Sequence, residues 1–211
     1  MIISDFDGVL FNDQRFKAAY RRLFVRSGIP ASIHEVAYSE AKKAHASGAY
    51  RHAKHIAIVR QKMPKINPRV MEKKIHALLA RSGTYLYPDA TPFLKYLHAR
   101  GEKLALVSSG FAFQKKKVAA SGLKHFFRPA VVTPISLKVA PVGKIVKAFP
   151  REQIVFMDDR IEVVDAIKHA FPRIFVIQVV RRRDQKRSTR ADAVVKNLAA
   201  ARVLCEKVIR L

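Results

Sequence analysis

Asp5 and Asp7 stand two residues apart, directly after the apolar residues 1–3 and directly before Gly8. An apolar strand that ends in acids carries them to its carboxyl edge, where open α/β sheets bind their ligands. Side chains two apart on a strand share a face, so the pair is expected to face one site. Two carboxylates placed together repel, and they either share a proton or hold a cation. A hard divalent ion such as Mg2+ suits them, because it takes oxygen ligands and keeps several waters. The plainer reading of Asp-Phe-Asp-Gly is a turn, since Asp and Gly favour turns.

Three further segments place polar groups at the ends of apolar runs. Ser108, Ser109 and Gly110 follow the apolar residues 104–107. Lys138 follows a short apolar segment, with Lys144 close behind as a competitor for the same role. Asp158 and Asp159 follow residues 154–157. A nucleophilic carboxylate, a second acid, a hydroxyl, an ammonium and metal-binding carboxylates on one edge make a phosphoryl-transfer site. Taken singly, each has a duller explanation. Ser108 can simply end a strand, Lys138 can be a solvated lysine, and Asp159 and Glu162 can be acids favoured by a helix N-terminus. Asp165 reads as a surface residue.

The elements that must position these residues alternate. Strands are expected at residues 103–109, 130–133, 153–157, 174–180 and 192–195, with helices at 91–101, 113–121, 139–149, 162–170 and the C-terminus. Strands alternating with helices mean βαβ units and a parallel sheet. Residues 13–85 differ, with four helical patterns and no strand between them. The first, residues 14–28, carries Phe16, Tyr20, Leu23 and Phe24 at helical spacing. Ser32 and Glu35 have the spacing of a capping box, opening a helix that runs to about residue 45. A third helix is expected over 49–63. Asn67-Pro68 supplies an N-cap and a Pro at the first helical position of the fourth. The basic stretch 181–190 reads as a loop and as the most mobile segment.

With these elements in place, Asp5-Phe6-Asp7-Gly8-Val9 resembles the first motif of the haloacid dehalogenase superfamily. Residues 106–110 resemble its second, 138–141 its third and 156–162 its fourth, in the right order. The resemblance implies an α/β fold: a Rossmann-like parallel sheet core with helices on both faces, formed by residues 1–12 and 86–211. It also implies an inserted helical cap of the first type, residues 13–85. Carried over residue by residue, Asp5 is the nucleophile and a metal ligand. Asp7 is the general acid and base, with its backbone carbonyl on the metal. Ser108, Ser109 and Lys138 hold the phosphate, and Asp158 and Asp159 complete the Mg2+ site. Which of these last two touches the metal stays open, because many family members have Gly-Asp where this chain has two acids. Asp7 argues for phosphate esters over halides, since a halide leaving group needs no proton and an alkoxide does.

Composition bounds the rest. The chain has 211 residues and a formal charge of +25, and no acid occurs between Lys103 and Arg151. Such a field attracts phosphorylated molecules and polyanions, so weak, nonspecific nucleic-acid binding is expected. No 18-residue apolar run suggests a membrane span, and no basic segment ahead of the apolar start suggests a signal peptide. The single cysteine, Cys205, cannot form an internal disulfide, which points to a cytoplasmic setting. His34, His45, His52, His55 and His76 invite a zinc site, but their spacing matches no usual ligand pattern, and solvated helix faces are expected. The expected function is a Mg2+-dependent phosphatase acting through an aspartyl-phosphate on a nucleotide or sugar phosphate. The alternatives are a basic nucleic-acid-binding protein with a vestigial site, and a phosphatase of nucleic-acid ends.

Overall fold

A computed structural model describes residues 1–44, 50–134 and 137–209. They divide into two compact units: Met1–Asn12, Leu86–Ser109 and Leu123–Leu211 form one, and Asp13–Tyr85 with Gly110–Gly122 form the other.

The first unit is built on a parallel sheet of β1 (Ile2–Ser4), β2 (Leu104–Ser109), β3 (Ala130–Thr133), β4 (Val155–Asp158), β5 (Phe175–Val179) and β6 (Ala193–Val195). Its order is β3-β2-β1-β4-β5-β6. β1 is central, which is why Ile2 and Ile3 are apolar on successive faces and all three of its residues, Ser4 included, are buried. Ile3, Val107, Phe156 and Val176 form one buried layer with residues of α7 (Val139–Ala148) and α8 (Ile161–Ala170). On the opposite face α9 (Leu198–Ile209) packs on β4, β5 and β6 and against α5 (Ala90–Ala99). Burying each large aliphatic side chain contributes about 1.5–3 kcal/mol. Parallel strands all point their carboxyl ends to one edge, so Asp5, Ser108 and Asp158 emerge together.

The second unit holds α1 (Asp13–Arg26), α2 (Ala31–Lys43), α3 (His52–Lys62), α4 (Pro68–Ala80) and a 3₁₀ turn, Ser82–Tyr85. It also takes α6 (Ala112–Ala120), which the sequence places in the core because it follows β2. The reason is packing: α6 lies against α4 and the 3₁₀ turn, and Phe113 meets Phe16, Tyr20 and Tyr50 edge-on.

Two helix starts contrast. Asn67 caps α4 as expected, its side chain accepting from the N–H groups of Arg69 (3.0 Å) and Val70 (3.3 Å). The capping box at Ser32 does not form. α2 begins two residues earlier, with Pro30 rather than Ser32 at the cap position, so Ser32 falls inside the first turn. Glu35 instead accepts from Arg21 Nε at 2.9 Å.

The histidines also depart from expectation. His34 and His55 are buried, and His55 stacks on Phe24 with ring centroids 4.4 Å apart. An aromatic side chain with a polar tip can fill a core when that tip finds a partner; here Tyr50 Oη and His55 Nδ1 are 2.7 Å apart. His45 and the expected start of the third helix, residue 49, lie outside the described residues.

Candidate active site

β1 ends at Ser4, and the Asp5 N–H donates to the Met157 carbonyl of β4 at 2.8 Å. Asp5 is buried, and its Oδ1 accepts from the Phe6 N–H at 2.6 Å. Strand alternation predicts that Asp7 shares its face. The strand is already over, however, and Asp7 is delivered by a turn. The Leu10 and Phe11 N–H groups both donate to the Phe6 carbonyl, and Gly8 N–H donates to Phe11. Gly8 supplies the positive φ (+76°) this turn requires. Buried Phe6 and Phe11, stacked 4.9 Å apart, anchor it. Asp7 is half-buried at the rim.

β2 carries Ser108 and Ser109 as its last two residues. Leu106 pairs with Ser4, so Ser108 lies two steps further toward the carboxyl edge. Ser108 is buried and Ser109 half-buried. On the other side of β1, Met157 pairs with Ser4, which puts Asp158 level with Asp5.

The structure separates the two lysines. Lys138 sits at the start of α7 in the left-handed conformation, φ 61°. It is 1% exposed, with Nζ 2.7 Å from Asp5 Oδ1 and 2.7 Å from Asp158 Oδ2. Lys144 is exposed and lines an apolar groove of about 470 Å3 with Pro129, Val131 and Phe149.

Asp158 is fully buried, and its Oδ1 accepts from the Arg160 N–H at 2.9 Å. Asp159 is half-buried, with its carboxylate against Gly8. One oxygen from each of Asp5, Asp158 and Asp159 lies within 4.8 Å of the others. This is the one such group of metal-ligating side chains among the described residues, and it contains no histidine. Asp5 and Asp158 share the one ammonium of Lys138, and Asp159 adds a third acid to the group, so the acids outnumber the fixed cation. That donor set, hard oxygens with a charge deficit, fits Mg2+. Glu162 is exposed beside Arg160 and outside this group. Asp165, read as a surface residue, is half-buried and accepts from the Ser188 hydroxyl.

A family model of haloacid dehalogenase-like hydrolases matches residues 1–170. The chain belongs to that family. It is a haloacid dehalogenase superfamily hydrolase, with the six-stranded parallel Rossmann-like sheet and helices on both faces. A curated relative, the glyceraldehyde 3-phosphate phosphatase of Methanopyrus kandleri, is 26% identical over 176 residues, covering 76% of each chain. Among solved structures, a haloacid dehalogenase-like hydrolase from Burkholderia xenovorans superposes with a TM-score of 0.76 at 19% identity, covering 95% of this chain and 96% of that one. A phosphatase of the superfamily from Thermococcus onnurineus follows at 0.68 and 20%, covering 96% of both.

The electrostatics of the hydrolase suit a cation. Burial pushes the Asp5 carboxyl up to about 7; Lys138 opposes this, while Asp158 and Asp7 add to it. Burial also works against the charge on Lys138, yet Asp158 and Asp5 together hold it above the ordinary lysine value. A positive charge beside Asp5 favours its anion.

The motifs do not announce the loop between β5 and β6, which the sequence marks as mobile. It is fastened instead. Arg181 donates to both Asp89 oxygens (2.8 and 2.9 Å) and to the Val9 carbonyl (2.7 Å). Gln185 reaches the Asp159 carbonyl at 2.6 Å. One signal was available: Gln178 is a lone amide in an apolar strand, and it is fully buried.

Proposed function

We propose that this hydrolase is a Mg2+-dependent phosphomonoesterase acting on a small phosphorylated metabolite through an aspartyl-phosphate. The observation that carries the reading is Asp5, buried at the carboxyl end of the central strand, beside Lys138 and in one group with Asp158 and Asp159. A buried carboxylate next to a lysine and a metal-binding group is arranged to attack phosphorus.

In this reading Lys138 and the Ser108 hydroxyl hold the phosphoryl oxygens. An Asp5 oxygen bonds to phosphorus as the bond to the leaving oxygen breaks, and Asp7 gives that oxygen its proton. Asp7 then takes a proton from water, whose oxygen attacks phosphorus. The Asp5 carboxylate and inorganic phosphate are released. Asp5, Asp158, Asp159 and the Asp7 carbonyl would hold Mg2+, which when bound supplies neutralising charge to the phosphoryl group.

The relative named for glyceraldehyde 3-phosphate supports a small, flexible phosphomonoester, with sugar and nucleotide monophosphates in the same class. The single cysteine, Cys205, is buried and has no partner for an internal disulfide, in keeping with a reducing, cytoplasmic setting. No helix among the described residues is long and apolar enough to cross a membrane. The test is phosphate release from a panel of phosphomonoesters, with Mg2+ and with excess chelator. Turnover of some members in Mg2+ alone is expected. Full activity in chelator, or none on any monoester, overturns the reading.

The charge of +25 favours a second, weaker interaction. Random RNA and DNA are expected to bind at low salt and to dissociate steeply as salt rises, because lysines and arginines release condensed counterions. A shift assay at two salt concentrations checks this. Tight binding at physiological salt, with no phosphate release from any monoester, would instead favour the nucleic-acid-binding alternative.

A further inference from the structure

The carboxylate of Asp159 rests against Gly8 so closely that a Cβ on Gly8 would lie 2.3 Å from Asp159 Cγ. The acid group therefore depends on how two backbone segments meet: the turn after Asp7, and the residues after β4. Each segment is gripped from the same loop, residues 181–190. On the Gly8 side, the Arg181 guanidinium donates to the carbonyl of Val9 at 2.7 Å. That guanidinium is itself fixed by two bonds to Asp89 and lies 4.0 Å from the centre of the Tyr87 ring. Asp89 is tied down in turn, accepting the Leu198 N–H at 2.8 Å. On the Asp159 side, the carbonyl of that residue accepts Gln185 Nε2 at 2.6 Å and Gln178 Nε2 at 3.3 Å. Gln178 uses its other end as well: Oε1 accepts the Ser188 N–H at 2.7 Å, and Nε2 also reaches the Lys186 carbonyl at 2.9 Å. Gln185 Oε1 accepts the Arg181 N–H at 3.1 Å, so the two grips are joined to each other.

We propose that the 181–190 loop is a positioning element for the metal site, with Gln185 and Arg181 holding Asp159 and the Gly8 turn in register so that the third carboxylate meets Asp5 and Asp158. Neither side chain touches the reacting atoms: Gln185 acts through the backbone carbonyl of Asp159 itself, and Arg181 through the carbonyl of Val9, two residues after Asp7. Residues behind metal ligands commonly change metal affinity about 10–100-fold when altered. This inference rests on the metal-dependent reading of the site.

Gln185→Glu is the sharp test. The substituted side chain keeps the shape and can still accept the Arg181 N–H, but it faces the Asp159 carbonyl with an oxygen in place of a donor. Its added negative charge alone would tighten Mg2+ binding, whereas loss of the grip weakens it, so the two effects have opposite signs. Calorimetric titration of Mg2+ into the full chain is expected to show affinity reduced by about 10–100-fold. The Mg2+ concentration for half-maximal phosphate release should rise in parallel, with kcat at saturating Mg2+ largely kept. Gln185→Ala, which removes the donor without adding charge, gives the same direction and serves if the Glu variant folds poorly. Unchanged or tighter Mg2+ binding in both variants overturns the proposal, as does a parent protein that binds no Mg2+. Weakened binding in the variants, with no phosphate released from any monoester by the parent, leaves the positioning role standing and removes the phosphatase reading.

Discussion

At the carboxyl edge of the sheet, Asp5, Lys138 and Asp158 are buried side by side, and the ammonium lies 2.7 Å from each carboxylate. In the helical unit His34, His55, Tyr20 and Tyr50 are also withdrawn from water, but as uncharged groups. Burial pushes both imidazoles down, His55 to about 3, and pushes both tyrosine hydroxyls up. His34 Nδ1 and His55 Nε2 have no hydrogen-bond partner among the described residues. The first region keeps ionisable groups ready to exchange charge with a ligand. The second uses the same kind of residue as apolar filling with one polar tip. Burial alone therefore does not mark a site; burial with opposing charges at contact distance does.

The largest expected effect separates these two uses. Asp5→Asn keeps the shape and removes the attacking charge, so turnover should fall by orders of magnitude with the fold intact. Near-normal activity would sink the covalent mechanism. The same variant should be no less stable than the parent in metal-free solution above neutral pH. Asp5 has a folded value near 7, above the unfolded 3.8, so the folded state holds its proton longer and loses stability as pH rises through that interval. Chemical denaturation at pH 5 and pH 8 measures this.

Asp7→Asn comes next, with a loss of about 10²–10⁴ in rate. The loss should be greater for sugar phosphates than for nitrophenyl phosphate, whose leaving group needs little protonation. Equal losses on both would assign Asp7 a purely structural or metal-binding part.

Gly8→Ala sharpens the comparison from the geometric side. The added Cβ strains a positive-φ turn and displaces the Asp159 carboxylate. We expect weaker Mg2+ binding together with a loss of about 1 kcal/mol or more in stability. Mg2+ affinity equal to that of the parent would show that Asp159 does not depend on this contact.

The smallest effect at neutral pH belongs to the helical unit. His55 binds a proton more readily unfolded than folded, so stability should rise with pH between about 3 and 6.5 and stay flat above. His55→Phe should flatten that slope, by up to a few kcal/mol at the acid end. It should leave activity at pH 7 nearly unchanged. An identical pH–stability profile in the two proteins would contradict the buried neutral imidazole.

The sequence by itself determined the order of elements, the parallel sheet and the identity of the acids at its edge. Those follow from local signals: apolar runs of strand length, helical spacing, the Asn67-Pro68 start, and polar residues where the apolar runs stop. Other features depended on contacts between residues far apart in the chain. Lys138 rather than Lys144 faces the acids because its left-handed turn aims it at the strand-end acids Asp5 and Asp158, both far from it in the chain. Pro30 displaced the Ser32 cap by starting the helix first, and α6 joined the helical unit because Phe113 found aromatic partners there. The basic 181–190 loop looked free because its charges and lack of pattern suggest solvent. Only the fold could show that Arg181, Gln185 and Ser188 meet Val9, Asp159 and Asp165, since hydrogen bonds between distant segments leave no periodicity to read.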